Sequence, residues 1–108
     1  MGAMITIHYD GKVVSEDEAR TLAEAAQQLI AEVIKEKDVF VYATAAPITI
    51  GADPIEILVQ VNQQKVPDPE ALTQRITAAL SNWKRQTDFK QPLNLNVIPV
   101  DWHYKIGV

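Results

Sequence analysis

The sequence predicts an α+β fold: two β-α-β units in tandem, giving a four-stranded mixed sheet with two helices on one face. Three observations carry this. Ile55, Ile57, Val59 and Val61 alternate with Glu56, Leu58, Gln60 and Asn62, the period-2 pattern of a strand with one buried face. Two long stretches carry apolar residues at helical spacing, each opened by a capping residue. The second half repeats the first: Val14 aligns with Val66, Glu18 with Glu70, Ala19 with Ala71, Thr21 with Thr73 and Ile5 with Ile57.

The first strand is read from Ile5, Ile7 and Tyr9 alternating with Thr6, His8 and Asp10, ended by the turn dipeptide Asp10-Gly11. Ser15-Glu16-Asp17-Glu18 is a capping box, in which the hydroxyl and the carboxylate each satisfy a free backbone N–H. The first helix is expected over residues 16–35, with Ala19, Leu22, Ala26, Ile30 and Val33 on one stripe. Acids in its first turn and Lys35 and Lys37 at its end suit the helix dipole. A second strand is predicted over residues 39–45, with Val39, Val41 and Ala43 on one face and Phe40 and Tyr42 on the other. Ile48-Thr49-Ile50 is a short strand signal of its own, and Gly51-Ala52-Asp53-Pro54 a turn before the third strand, residues 55–62. Asp68 caps a second helix over residues 69–85, with Pro69 at the first helical position, where no donor is lost. Leu72, Ile76, Ala79, Leu80 and Trp83 face inward. Leu93 to Val100 is the fourth strand, and Trp102, Tyr104, Ile106 and Val108 alternate along an aromatic tail.

Each half should cross over right-handedly, because a right-twisted strand feeding a helix returns to the sheet that way. Both helices then cover one face, and the residues between the core positions are left on the other. Apolar side chains there point to an interface between copies of the chain.

Composition narrows the function. With 108 residues, 47% of them hydrophobic and 22% charged, the chain makes one domain with one core. A net charge of −4 leaves no basic excess for nucleic acid. The absence of cysteine removes disulfides and thiolate metal sites, and with two histidines no metal cluster is expected. No apolar run nears the ~20 residues of a membrane span, and the N-terminus lacks the pattern of a secretion signal. The expectation is a soluble cytoplasmic protein without cofactor, nucleic-acid partner or membrane partner. Residues 1–3 read as an expression remnant, with Met4 a natural start and residues 4–108 the domain.

The duplicated β-α-β order, the helix lengths, the link Pro47-Ile48-Thr49-Ile50-Gly51-Ala52-Asp53-Pro54-Ile55 and the tail after the fourth strand together resemble the tautomerase superfamily, in particular its macrophage migration inhibitory factor branch. The resemblance covers nearly all residues from Met4 on. It implies a homotrimer whose sheets pack around a central axis, with tails and short strands crossing to neighbours. It also implies a reaction run by an N-terminal proline, whose secondary amine is a free base near neutral pH in an apolar pocket. This chain departs from that pattern. Removal of Met1 exposes Gly2, a start at Met4 is followed by Ile5, and all six prolines are internal amides. Proline-based tautomerase activity is not expected.

The candidate cleft residues are His8, Lys35, Tyr42, Gln63, Trp102, His103 and Tyr104. Each has a plainer reading. His8 is a strand residue at the interface face, and His103 a tail residue hydrogen-bonded to a neighbour. Lys35 lies where the family often places a cation, yet also where a solvated helix end falls. Gln63 follows the third strand as a loop residue near the family's pocket rim. Tyr42, Trp102 and Tyr104 serve core or interface packing as readily as a cleft.

Three functions are compatible with these residues. One is a tautomerase-fold oligomer that binds a small molecule at a subunit-interface cleft. Another is an isomerase using a different base, such as the amine of Gly2 or Met4, His8 or His103. The third is a ferredoxin-like module for ligand binding or dimerisation, which shares the element order. A ferredoxin-like sheet joins its second and third strands as a hairpin. Here about nine residues connect them, against the usual hairpin loop of about 2–5, which favours the tautomerase-like arrangement.

Overall fold

The computed structural model describes residues 2–108, and Met1 lies outside them. The elements run β1 (Ala3–Asp10), α1 (Glu16–Ile34), β2 (Val39–Ala46), β3 (Ile55–Asn62), a 3-10 turn (Gln63–Lys65), α2 (Pro69–Thr87) and β4 (Asn94–Val100). The sheet order is β2-β1-β3-β4. β2 runs parallel to β1, β1 antiparallel to β3, and β4 parallel to β3. Each half is therefore a β-α-β unit, and the halves join through the central antiparallel pair. β2 and β3 are separated by β1, so they form no hairpin and the ferredoxin-like alternative is excluded.

Register sorts the side chains into rows. Val41, Ile5, Val59 and Val97 lie side by side on the helix face, with Ala43, Ile7, Ile57 and Leu95 in the next row. Ile5, Ile7, Ile57 and Val59 are fully buried there under Leu22, Ala26 and Ile30 of α1 and Leu72, Ile76 and Leu80 of α2. Tandem crossovers of one hand put both helices on this face.

The opposite face has no cover within the chain. Its rows are Phe40, Met4, Gln60 and Ile98, then Tyr42, Thr6, Leu58 and Asn96, then Thr44, His8, Glu56 and Asn94. The first two mix apolar with polar side chains, and Phe40 and Tyr42 are exposed. The third is polar: the Asn94 amide donates to Glu56 at 2.9 Å and to Asp53 at 2.6 Å.

The capping box forms as expected, with the Glu18 N–H donating to Ser15 Oγ and the Ser15 N–H to Glu18 Oε1, each at 3.0 Å. Asp68 accepts from the Ala71 N–H at 3.1 Å, with Pro69 in the first turn. Both helices have 19 residues and end on a left-handed residue, Lys35 or Asp88, each at φ 58°. After each, the next N–H reaches back five residues, Glu36 to Ala31 and Phe89 to Lys84, both at 3.1 Å. This closes the helix in a Schellman turn.

Several expectations need correction. Lys35 is not the last helical residue but the left-handed stop. No basic residue occupies the last turn of α1 itself; Lys35 sits just past it, at the C-cap. α2 continues to Thr87, and β4 starts at Asn94 rather than Leu93. Ile48–Ile50 forms no strand within the chain, and neither does the tail. Both lack a paired edge here, and Ile48 and Ile50 are 78% and 91% exposed. The repeat holds its register through the strands, with the Thr6–Leu58 pair at its centre. It slips by one residue in the helices, where Ser15 is matched by Asp68, because the link carrying the 3-10 turn is one residue longer.

Candidate functional site

The cleft richest in converging polar groups lies where the end of α1, the end of β3 and the start of α2 meet. Its volume is about 360 Å³. Each wall has a local cause. The Schellman turn at Lys35 swings the chain off α1. Beyond β3, the Asn62 side chain accepts from the Gln64 N–H at 3.0 Å and starts the 3-10 turn. Pro67-Asp68-Pro69 then sets the entry of α2. Gly2, Val61 and Leu72 are buried at its base, and Val66 and Ala71 line it further out.

The rim is charged. Lys65 Nζ lies 2.8 Å from Glu36 Oε1. Arg75 donates to the Val33 carbonyl at 2.7 Å, tying α2 to the last turn of α1. The Asp68 carboxylate is engaged in its cap. Lys35 has no side-chain partner among the described residues. Three cations thus face two carboxylates around an apolar base, an arrangement suited to orienting a small polar or anionic group.

Gly2 is held by its surroundings. Its N–H and that of Ala3 both donate to the Asp38 carbonyl, at 2.9 and 3.3 Å. A Cβ at residue 2 would fall 2.5 Å from Glu36 Cβ, 2.9 Å from Glu36 Cγ and 3.1 Å from the Asp38 carbonyl oxygen. Only glycine fits this backbone without moving residues 36–38.

Of the seven residues singled out in the sequence, Lys35 lines this cleft and Gln63 opens the adjoining turn. His8 lies on the open sheet face beside a smaller hollow of about 210 Å³ that also meets Ile48, Asp53 and Glu56. Tyr42 is on the same face, one row away. Trp102 is half-buried beyond β4, and His103 and Tyr104 are exposed, with His103 Nε2 3.7 Å from Asp101. One chain therefore does not gather the seven into one site. Sequence reasoning missed Glu36, Lys65 and Arg75. A signal for Arg75 existed: Asp68, Leu72 and Arg75 follow helical spacing, so the first two turns of α2 share a side. Nothing in the sequence paired Glu36 with Lys65, 29 positions apart.

A groove of about 400 Å³ between α2 and β4, at Leu80, Lys84 and Leu95, is larger but holds a single cation. Among the described residues there is no metal-binding group of His, Cys, Asp or Glu. None of their helices is long and apolar enough to cross a membrane.

No family model and no curated protein matches this chain. Solved structures do. A malonate semialdehyde decarboxylase, FG41, solved with 3-bromopropiolate as inhibitor, superposes with a TM-score of 0.66 at 18% identity, covering 97% of this chain and 89% of that one. A fused 4-OT, described as an asymmetric trimer, gives 0.66 at 13% identity over 96% and 92%. A macrophage migration inhibitory factor-like protein from Entamoeba histolytica gives 0.55 at 17% identity over 95% and 93%. These neighbours are members of the tautomerase superfamily, and at such identities the likeness is one of fold. The sheet order, the paired crossovers and these near full-length superpositions agree: this chain has the tautomerase-type α+β fold.

Proposed function

We propose that this protein is an oligomeric, tautomerase-fold binding protein that does not run proline-based chemistry and takes up a small molecule in the cleft between α1, β3 and α2. The observation that carries the reading is the base of that cleft. Residue 2 is a glycine, and the space beside it is filled by the stem of Glu36, so a proline ring has no room there. A charged rim over an apolar base supports ligand binding. Exposed apolar side chains on the open sheet face, in the link at Ile48 and Ile50, and in the tail at Tyr104, Ile106 and Val108 support association of copies. The trimeric fused 4-OT is consistent with a homotrimer. In such an assembly the tail residues Trp102, His103 and Tyr104, and the face residues His8 and Tyr42, complete the cleft from neighbouring subunits.

The test is an assay of the full chain on phenylpyruvate-type and hydroxymuconate-type substrates, together with a thermal-shift screen of small carboxylates. Turnover at the buffer rate is expected, with saturable stabilisation by at least one compound. Turnover well above buffer, lost on N-terminal modification, overturns the reading in favour of an isomerase with another base.

A further inference from the structure

Among the described residues, the Glu36–Lys65 pair is the one ion pair between charged side chains of the cleft lining, with Lys65 Nζ 2.8 Å from Glu36 Oε1. Glu36 belongs to the link after α1 and Lys65 to the 3-10 turn after β3, so the pair bridges the mouth between segments distant in sequence. The carboxylate side chain is the more enclosed partner, 31% exposed against 58% for the lysine. Its stem packs against Gly2, with Cβ and Cγ where a side chain at residue 2 would start. The backbone around it is pinned by the two N–H donors on Asp38. The stem is thus fixed and only the carboxylate end is free to turn.

Resting on the reading of this cleft as a binding site, we propose that Glu36 is its built-in occupant, latched by Lys65, and that a small monocarboxylate with an apolar body enters by taking Glu36's place on Lys65. The exchange conserves charge pairing: Lys65 keeps a carboxylate partner, and Glu36 turns to water. A part-exposed ion pair is weakly held, because solvent screens it and fixing two flexible side chains is entropically unfavourable. The incoming group finds more donors than it displaces. Lys35 at the mouth has no side-chain partner among the described residues, and a guanidinium carries five N–H donors, of which Arg75 gives one to Val33. Val33, Val66 and Ala71, the half-buried apolar residues of the lining, take the apolar body. A neutral amide of the same shape gains nothing from Lys65 and does not open the latch.

The experiment titrates the full-length protein with phenylacetate by calorimetry, with phenylacetamide as the uncharged control. Glu36→Gln keeps the shape of the plug and removes its charge, and is expected to bind phenylacetate about tenfold more tightly by relieving like-charge repulsion. Phenylacetamide should not distinguish the two proteins. Lys65→Met in the Glu36→Gln background should cancel the gain. Glu36→Asp is one methylene shorter, which weakens its hold on Lys65, and should give a smaller gain; it serves as the second variant if Glu36→Gln fails to fold. Equal phenylacetate affinity in the unsubstituted protein and both Glu36 variants overturns the latch while leaving the cleft a binding site. Absence of phenylacetate binding in all of them, with folding intact by circular dichroism, overturns the latch and the carboxylate class together.

Discussion

Ser15 and Glu18 show how much a single pair of side chains can specify. Four N–H groups at the start of α1 lack helical partners, and this pair satisfies two of them reciprocally, those of Ser15 and Glu18. Ser15→Ala is expected to cost about 1 kcal/mol in chemical denaturation, and a loss below a few tenths would remove the cap from the account. The Glu18 carboxyl is held below its ordinary value of 4.5, chiefly by the Ser15 backbone N–H, with burial opposing and the Gln91 and Ser15 side chains assisting. A lowered folded value means the carboxylate contributes stability above about pH 4.5, and the contribution fades as pH falls through the lowered value. Glu18→Gln should therefore narrow its stability gap to the unsubstituted protein on acidification, measured by denaturant titration between pH 6 and about pH 3. Lys35 and Asp88 are a contrasting case. Both are left-handed helix stops without the glycine usual there, so the sequence pattern carries the first helix one residue past its end at Ile34.

The strands differ in how much of their environment lies within one chain. β1 and β3 are central, with fully buried helix-facing positions. β2 and β4 are edges; only Val39 on β2 is buried, and no residue of β4 is. Ile57 sits between Ile7 and Leu95 in the core row and is 1% exposed. Ile57→Ala removes three carbons and leaves a cavity, so it should destabilise by about 2–5 kcal/mol, whereas Ile50→Ala, at 91% exposure, should leave a monomer nearly unchanged. A measured loss at Ile50 comparable to that at Ile57 would show that the link is covered by another copy. The link turns at Gly51, which adopts φ +70°, a conformation glycine takes without a Cβ penalty.

For the molecule as a whole, the unpaired segments and the open face belong to one question. Light scattering on a sizing column should give a mass near three times 12.0 kDa; a mass of one chain would remove the trimer from the proposal. The tail is the part of the proposed assembly most easily tested. Residues 101–108 form no strand within the chain, yet alternate apolar and polar side chains. Burying Trp102 and Tyr104 on a neighbour would contribute several kcal/mol at about 25 cal/mol per Å². Ending the chain at Asp101 should leave the far-ultraviolet circular dichroism intact and weaken the oligomer at low micromolar concentration. Retention of the full oligomeric mass would mean that the tail packs on its own subunit.

What the sequence by itself determined is what local chemistry encodes. Alternation in Ile55–Asn62, the capping box at Ser15 and the Asp68-Pro69 helix start each depend on residues within a few positions of one another. Together with the rule of right-handed crossovers, they are enough to place two helices on one face of a four-stranded sheet. The tertiary structure alone decided the rest, because it depends on chain segments that meet only after folding. It showed that β1 separates β2 from β3, that Glu36 fills the space beside Gly2, and that Lys65 and Arg75 close on a cleft formed by three separate elements. It also showed why Ile48–Ile50 and the tail are not strands here. A strand signal is a demand for a partner edge, and both edges of this sheet are left free by the chain that makes them.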